Sequence, residues 1–591
     1  MAGVLGVTAS ITGQAWAWRG GLAPGDGLHG RDEDDALLHH LFRARGADPA
    51  DFARLKAPTL RDWLPDPSIF ADMDAAAARI AAAVQRGEAI VIFGDYDVDG
   101  ATSAAVLIRY LRSCGARVGH YIPDRLLEGY GPSAEALVAL KQAGADLVVT
   151  VDCGTQGFAA LEAAAAAGLE VIVVDHHKAG TALPPACALV NPNRLDEAPD
   201  AAAHGHLAAV GMAFLVAVAV NRELRARGWF ANREAPDLLA LTDLVALGTV
   251  ADVVPLTGLN RAFVTQGLKV MRQRRNIGLA ALCDVAGLKA APVARDLGFA
   301  LGPRVNAGGR VGQADLGVRL LTTHDAGEAA TIAAELNRLN QERRAIEQAV
   351  TDEALALCGE DRACAVVAGP GWHPGVIGIV ASRIKERAGR PAIVIAIGED
   401  GLAKGSGRSV PGVDLGAAVL AAKDHGLLVA GGGHAMAAGL TVEAGRIAEL
   451  SAFLDERLAG SVAAAGGARA LSIDAAVAPR GVNVGLVGVL DCAGPYGQGW
   501  SQPRVASGPW QVVDARIVGE NHVKLALSGA DGARVKAIAW RHAETPLGAA
   551  LLGARGQGGL GRPMHLAGRI KRDDWGGGTA AEIEIDDAAW A

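Results

Sequence analysis

Three apolar, β-favouring runs, "AIVIF" (Ala89–Phe93), "DLVVTVD" (Asp146–Asp152) and "VIVVDHH" (Val171–His177), alternate with Ala- and Leu-rich stretches such as "FAALEAAAAAGLE" (Phe158–Glu170). Continuous apolar strands separated by helical segments predict a parallel sheet covered on both faces, an α/β architecture. Open parallel sheets gather their functional groups at the carboxyl ends of the strands. Each run here is followed at that end by acid: Asp95 after the first, Asp152 after the second, Asp175-His176-His177 after the third. A fourth cluster, "ALGTVADVVPL" (Ala246–Leu256), puts Asp252 just beyond a helical segment, with Pro255 as the breaker.

A chain of 591 residues, half of them apolar, should form several domains. Its longest uncharged apolar run, Leu207–Val220, is shorter than the ~20 residues of a membrane span and predicts a buried helix. No secretion signal opens the chain, and its seven cysteines show no CxxC spacing. A cytoplasmic protein with reduced thiols and no membrane association is expected. The net charge of −8 argues mildly against a surface coated for nucleic acid, so any such contact must be local. Trp372–Val410, with Arg383, Lys385, Arg387, Arg390, Lys404 and Arg408, carries a local positive excess.

Further along, Ile332, Leu336, Leu339, Ile346 and Val350 form a helical stripe, and Asp325 with Glu328 resembles a capping box. One long helix is expected between two lobes. A second α/β unit follows, with strands at "ACAVVAG" and "PAIVIAI" and glycine-rich loops at "AKGSGRS" and "AGGGHAMAAG". The small, featureless stretch Ser461–Ala470 predicts a linker, and "QVVDARIVG", "HVKLALSG" and "RVKAIAW" predict a small β-barrel. The expected division is 1–75 N-terminal segment, 76–324 first α/β domain, 325–358 connecting helix, 359–462 second α/β domain and 463–591 β domain.

Aspartates at i and i+2, as Asp95, Asp97 and Asp99 are, can project from one turn toward a common point. With Asp152, His176, His177 and Asp252 they make a carboxylate–imidazole set that suits Mn²⁺ or Mg²⁺ better than structural zinc, and two-metal hydrolases hold such ions about 3.5–4 Å apart. A calcium loop would need a glutamate at its twelfth position, where Val106 stands.

The motifs "GDYDVDG", "VDCG", "VDHH" and "ADVVPL" resemble, in order and spacing, those of the DHH phosphoesterase superfamily. The longer stretches "FGDYDVDGATSAA", "GYGPS", "LGPRVNAGGR" and "GGGHAMAAG" resemble its RecJ family of single-stranded-DNA-specific exonucleases. The resemblance implies a parallel-sheet DHH domain, a DHHA1-type domain and an OB-like barrel. It also implies two metals held by Asp95, Asp97, Asp99, Asp152, His176 and Asp252. Asp152 would bridge them, His177 would reach the scissile phosphate, and His177, Asp152 and His176 would be catalytic. Asp175 would orient the histidines, and Asp243 would be structural. A 5′-phosphate would be met by Arg304, Ser406 and Arg408, with Asn306, Arg310 and His434 as further candidates. Bases would stack on Trp372, and the strand would run along Arg383, Lys385 and Arg387. Single-stranded DNA is the implied partner, with a single-strand-binding protein and a helicase beside it, and 5′-to-3′ degradation in repair and recombination is the implied activity. Two competitors are a small-substrate phosphoesterase acting on oligoribonucleotides, pAp or cyclic dinucleotides and a non-catalytic DNA-binding scaffold; the complete ligand set speaks against the second. The family's tail motif, expected as "PFGxGNPxP", stands here as "PYGQGWSQP" (Pro495–Pro503).

Overall fold

A computed structural model of the chain describes residues 3–23, 33–125, 127–359, 362–465, 470–555, 561–573 and 578–591. Its first sheet is fully parallel, built from β1 (Ala89–Gly94), β2 (Arg117–Tyr121), β3 (Leu147–Val151), β4 (Glu170–Val174) and β5 (Ala188–Val190) in the order β2-β1-β3-β4-β5. The apolar runs seen in the sequence are its central strands, and all five residues of β3 are buried. Helix α1 (Val98–Ser113) leaves the end of β1 and packs against α2 (Ala209–Ala226), which contains most of the long apolar run and buries Phe214, Leu215 and Val216. Each such side chain contributes roughly 1.5–3 kcal/mol of burial. Helix α3 (Thr242–Ala251) crosses both and ends on Asp252 as its C-cap, as expected.

Two further helices join the lobes. Helix α4 (Gly302–Val311) contains "GPRVNAGGR", and the long helix α5 (Ala326–Leu357) runs alongside it. Asp325 caps α5 by accepting from the Glu328 amide, but the Glu328 carboxylate goes to Thr323 and Arg319 instead of returning to the cap, so only half of the capping box forms.

The second sheet, β9-β10-β8-β7-β6, comprises β6 (Ala365–Pro370), β7 (Ala392–Ile397), β8 (Leu402–Arg408), β9 (Ala430–His434) and β10 (Ala437–Glu443), with α6 (Ile377–Ala388) on one face. Both expected glycine-rich loops are therefore strands. Glycine weakens a strand in isolation, but here it makes room: a Cβ on Gly405 would lie 2.7 Å from the Leu440 side chain of β10. The expected linker is also corrected. Helix α7 (Ile447–Ala465) continues through Ser461 into the alanine run, across the 462/463 division, because alanine is the best helix former. Residues 466–469 of that stretch lie outside the described residues.

The C-terminal strands β11 (Ala475–Val477), β12 (Val505–Val518), β13 (His522–Gly529), β14 (Arg534–Ala539), β15 (Met564–Arg572) and β16 (Ala581–Trp590) form the sheet β11-β12-β13-β14-β16-β15. Pairing of β12 with β15 closes the last five into a barrel. The N-terminal segment, silent in the sequence, belongs to this module: Trp16–Trp18 pairs in parallel with Leu471–Ile473, and the Trp16 indole N–H donates to Asp587. Arg19 and Arg45 reach the fully buried Asp474 at 2.7 and 2.8 Å.

Candidate active site

Every acidic motif stands where the sheet delivers it. The turn after β1 carries Asp95 and Asp97, and Asp97 caps α1 by accepting from the amides of Asp99 and Gly100. Gly100 is required there, because a Cβ would lie 2.4 Å from the Asp95 carbonyl oxygen. Asp99, one residue into α1, is buried and accepts from the amides of Ala209 and Val210 at the start of α2 (2.7 and 2.9 Å). Asp152 follows β3 in the left-handed region, φ 61°, a conformation Asp tolerates better than most residues.

Ligand-capable atoms within 4.8 Å of one another fall into overlapping groups: Asp95, Asp97 and Asp152; Asp99, His176 and Asp252; and Asp152, His176 and His177. The fold thus brings together all six expected ligands plus His177, with Asp152 shared between groups. His176 shows how the set is prepared. Its Nδ1 faces the Leu207 carbonyl at 3.0 Å, a contact that needs the Nδ1–H tautomer and leaves a lone pair on Nε2. That Nε2 lies 3.3 Å from Asp152, 3.7 Å from Asp252 and 3.9 Å from Asp99. Nε2, Asp95 Oδ1 and Asp252 Oδ2 are all buried with no hydrogen-bond partner. Buried polar atoms rarely go unsatisfied, so His176 Nε2 and Asp252 Oδ2 in one ligand group and Asp95 Oδ1 in another fit bound cations.

The electrostatics agree. Burial, followed by the neighbouring carboxylates, pushes Asp99 to about 7 and Asp252 to about 9, and moves Asp95 and Asp152 well above the ordinary carboxylate range. Without a cation, these carboxylates cannot all be ionised cheaply. Asp175 behaves oppositely. Burial works against its ionisation, but bonds from His177 and Thr155 outweigh it and hold its pKa below the usual range. Its Oδ1 lies 2.7 Å from His177 Nδ1 and also accepts from the amides of His176 and His177, while Asn191 and Asn193 hold the carbonyls of the same pair. Burial lowers the His177 pKa, but Asp175 and the aspartates beyond it produce a net rise. Asp243 stays apart from the cluster, buried and accepting from the Leu244 amide.

Across Tyr96, the residue between Asp95 and Asp97, opens a cleft of about 480 Å³ between the lobes. Arg125, Arg310, Lys404, Ser406 and Arg408 line it together with glycine backbone of α6, β9 and β10. The Arg125 guanidinium sits 5.0 Å over the Tyr96 ring, and a Cβ on Gly309 would be 2.5 Å from the Tyr96 carbonyl oxygen, so α4 presses directly on the metal-motif turn. Arg310 is pushed down to about 10 by burial, then by Arg125 and Arg343, and stays cationic at neutral pH. It donates to the Gly375 carbonyl, and Arg408 donates to Ser406 Oγ at 3.2 Å.

Of the residues expected to meet a terminal phosphate, the cleft gathers Arg310, Ser406 and Arg408. The glycine-flanked Asn306 and Arg310 stand on helix α4, not in a turn. Arg304 is outside the cleft lining and is spent on Asn337 and the Ala300 carbonyl. Asn306, half-buried, and His434, exposed at the end of β9, also lie outside the lining. Trp372 is not a stacking platform: it is 5% exposed, sits in a core cluster and donates its indole N–H to Glu353. Two cations of the expected track face carboxylates, Arg383 with Glu347 and Lys385 with Glu386. Two residues escaped the sequence reading, Arg125 and Tyr130. The Tyr130 hydroxyl donates to the Asp152 carbonyl oxygen at 3.0 Å and lies 3.1 Å from His177 Nδ1. Its signal was the pair of glycines around it in "GYGPS", both with positive φ.

Sequence profiles of known families match in the order this geometry requires: the DHH family, N-terminal domain, over 89–249, the DHHA1 domain over 361–460 and the RecJ OB domain over 473–587. The single-stranded-DNA-specific exonuclease RecJ of Escherichia coli (strain K12) is 39% identical over 520 residues, covering 84% of this chain and 87% of that protein. The chain belongs to the RecJ family. RecJ of Bacillus subtilis (strain 168) is 35% identical over 561 residues, covering 94% of this chain and 68% of that one. The crystal structure of RecJ from Thermus thermophilus in complex with Mn²⁺ superposes with a TM-score of 0.75 at 31% identity, covering 94% of this chain and 76% of that chain. A Mg²⁺ complex of the same RecJ gives a TM-score of 0.69 at 29% identity, covering 95% of this chain and 75% of that chain.

Proposed function

We propose that this protein degrades single-stranded DNA from a 5′ end, hydrolysing phosphodiester bonds at a centre that takes two Mn²⁺ or Mg²⁺ ions. The observation that carries the reading is an acidic cluster beside a cleft of four cationic side chains, joined where Arg125 of the cleft stands over the ring of Tyr96, the residue between Asp95 and Asp97. Asp95, Asp97, Asp99, Asp152, His176 and Asp252 would hold the metals, which when bound supply Lewis acidity and lower the pKa of water at the site.

The rest is done by the chain itself. Asp175 fixes His177 through its Nδ1, so the imidazole is held in place to donate a hydrogen bond to a phosphate oxygen as negative charge builds there. Tyr130 ties His177 to the backbone of Asp152. Arg125, Arg310 and Arg408 bind the terminal phosphate by charge-assisted hydrogen bonds and set the register of the next bond over the metals. A small-substrate phosphoesterase needs no barrel, and the RecJ OB profile over 473–587 argues for the polymer.

We assign the work in repair and recombination to the reducing cytoplasm, in keeping with seven cysteines that are all free. A helicase would supply the single strand and a single-strand-binding protein would present it.

Arg408→Ala is expected to raise KM for 5′-phosphorylated single strands about 10- to 100-fold with kcat retained, and to abolish the preference over 5′-hydroxyl ends. Steady-state digestion of both substrates checks it, and an unchanged preference would remove the cleft from end recognition. Tyr130→Phe is expected to lower kcat about tenfold with Mn²⁺ affinity unchanged. Single-turnover digestion with parallel calorimetry separates the two effects.

A further inference from the structure

Asp252 closes helix α3, and the backbone leaving it is held from the far end of the chain. Val253 follows it at φ 62°, in the left-handed region a β-branched residue avoids, with a side chain 62% exposed that packs too little to hold it there. The restraint lies further on. The Leu256 amide donates to the Gln498 carbonyl at 2.9 Å, and Asn260 donates from one amide nitrogen to the carbonyls of Pro255 and His206. Gly497 and Gly499 lie against this segment so closely that a Cβ on Gly497 would be 2.6 Å from Leu256 Cδ1 and one on Gly499 3.1 Å from Pro255 Cβ.

The loop making these contacts is itself rigid. Gly497 and Trp500 exchange backbone hydrogen bonds, the buried Trp500 donates to the Ala493 carbonyl, and Arg261 lies 4.8 Å over the Trp500 ring. The divergent motif "PYGQGWSQP" therefore lies outside the barrel strands, as a clasp between the barrel module and the segment that follows Asp252.

We propose that the 494–500 clasp is a positioning element for Asp252: it holds Val253 in its strained conformation and so aims the Asp252 carboxylate at His176 and Asp99. Released from the clasp, Val253 relaxes toward ordinary φ and turns Asp252 away. The Asp95–Asp97–Asp152 group, on strands the clasp does not touch, stays in place. The inference rests on the metal reading of Asp252 given above.

Calorimetric titration of the full-length protein with Mn²⁺ tests it. Wild type is expected to bind two ions, and Gly497→Val to weaken one of them about 10- to 100-fold while the other is unchanged. Adding Val253→Gly removes the left-handed penalty, so the double variant is expected to regain affinity to within about threefold of wild type. Trp500→Phe, which drops the indole N–H bond and shrinks the ring under Arg261, is the milder clasp variant if Gly497→Val does not fold, with the same one-site loss expected. Unchanged Mn²⁺ affinities in a folded clasp variant overturn the inference, as does a double variant no better than the clasp variant alone. Wild type that binds no Mn²⁺ overturns the metal reading instead.

Discussion

Asp152→Asn is expected to cut turnover on single-stranded DNA on the order of 10³-fold or more, because it removes the carboxylate shared between two ligand groups. Asparagine tolerates the left-handed φ of 61° at this position, so the backbone turn after β3 survives. Stability should move the other way. Burial and then Asp99, Asp97, Asp95 and Asp252 push the Asp152 pKa up, which means its charge is repelled in the metal-free protein. Removing that charge relieves the repulsion, so in chelator the variant should melt at or above the wild-type temperature. On adding Mn²⁺, wild type should gain several degrees and the variant much less. Circular dichroism melts with and without Mn²⁺, beside a nuclease assay, check both halves. Retained turnover, or a variant that melts lower in chelator, would mean that Asp152 is a structural carboxylate.

What was legible in the sequence is what local chemistry decides. Strands β1, β3 and β4 are covered on both faces and so read as unbroken apolar runs, and the aspartates at their ends had nowhere to go but one edge of the sheet. Helix α5 was legible because Ile332, Leu336, Leu339 and Val350 keep one face buried over its length. The failures share a cause, namely partners distant in sequence. Gly405 looks like a loop residue until Leu440 occupies the space where its side chain would be. Arg304 and Arg310 stand in one motif with the same flanking glycines, and only the packing of α4 against α5 and Gly375 spends the first on Asn337 and aims the second into the cleft. Trp372, in a basic segment, looked like a base platform until Glu353 of α5 accepted its indole N–H. The N-terminal segment carried no signal because Asp474 and Asp587, the groups that hold it, lie more than four hundred residues away.

Arg261→Met is expected to be the most destabilising single change outside the metal cluster, costing about 3–5 kcal/mol. Arg261 is fully buried, yet among the described residues no carboxylate pairs with it. Its guanidinium donates to the carbonyls of Leu55, Ala493, Gly494 and Pro495 at 3.2, 2.8, 2.5 and 3.2 Å, which ties the N-terminal segment, the DHH domain and the clasp loop together. Burial pushes its pKa down to about 10, so at neutral pH it is still charged, and four backbone oxygens share that charge in place of water. Methionine fills much of the volume but removes the guanidinium from all four oxygens, of which Ala493 keeps the Trp500 indole N–H as a donor. Charge-assisted bonds of this kind are worth roughly 1.5–3 kcal/mol each, and carbonyls that relax toward water recover part of the loss. The melting temperature should fall by roughly 5–10 °C. Arg261→Lys should not restore it, because one ammonium cannot span carbonyls that a planar fork reaches together. Thermal melts of the two variants decide the matter, and a lysine variant that melts with wild type would mean that the charge alone, not the fork, holds the three segments. The sensitivity of the junction follows from its composition: a hydrophobic seam would tolerate a methionine, whereas carbonyl oxygens gathered around a buried cation lose its charge and its fork together, and the Trp500 indole reaches only the Ala493 oxygen among the four.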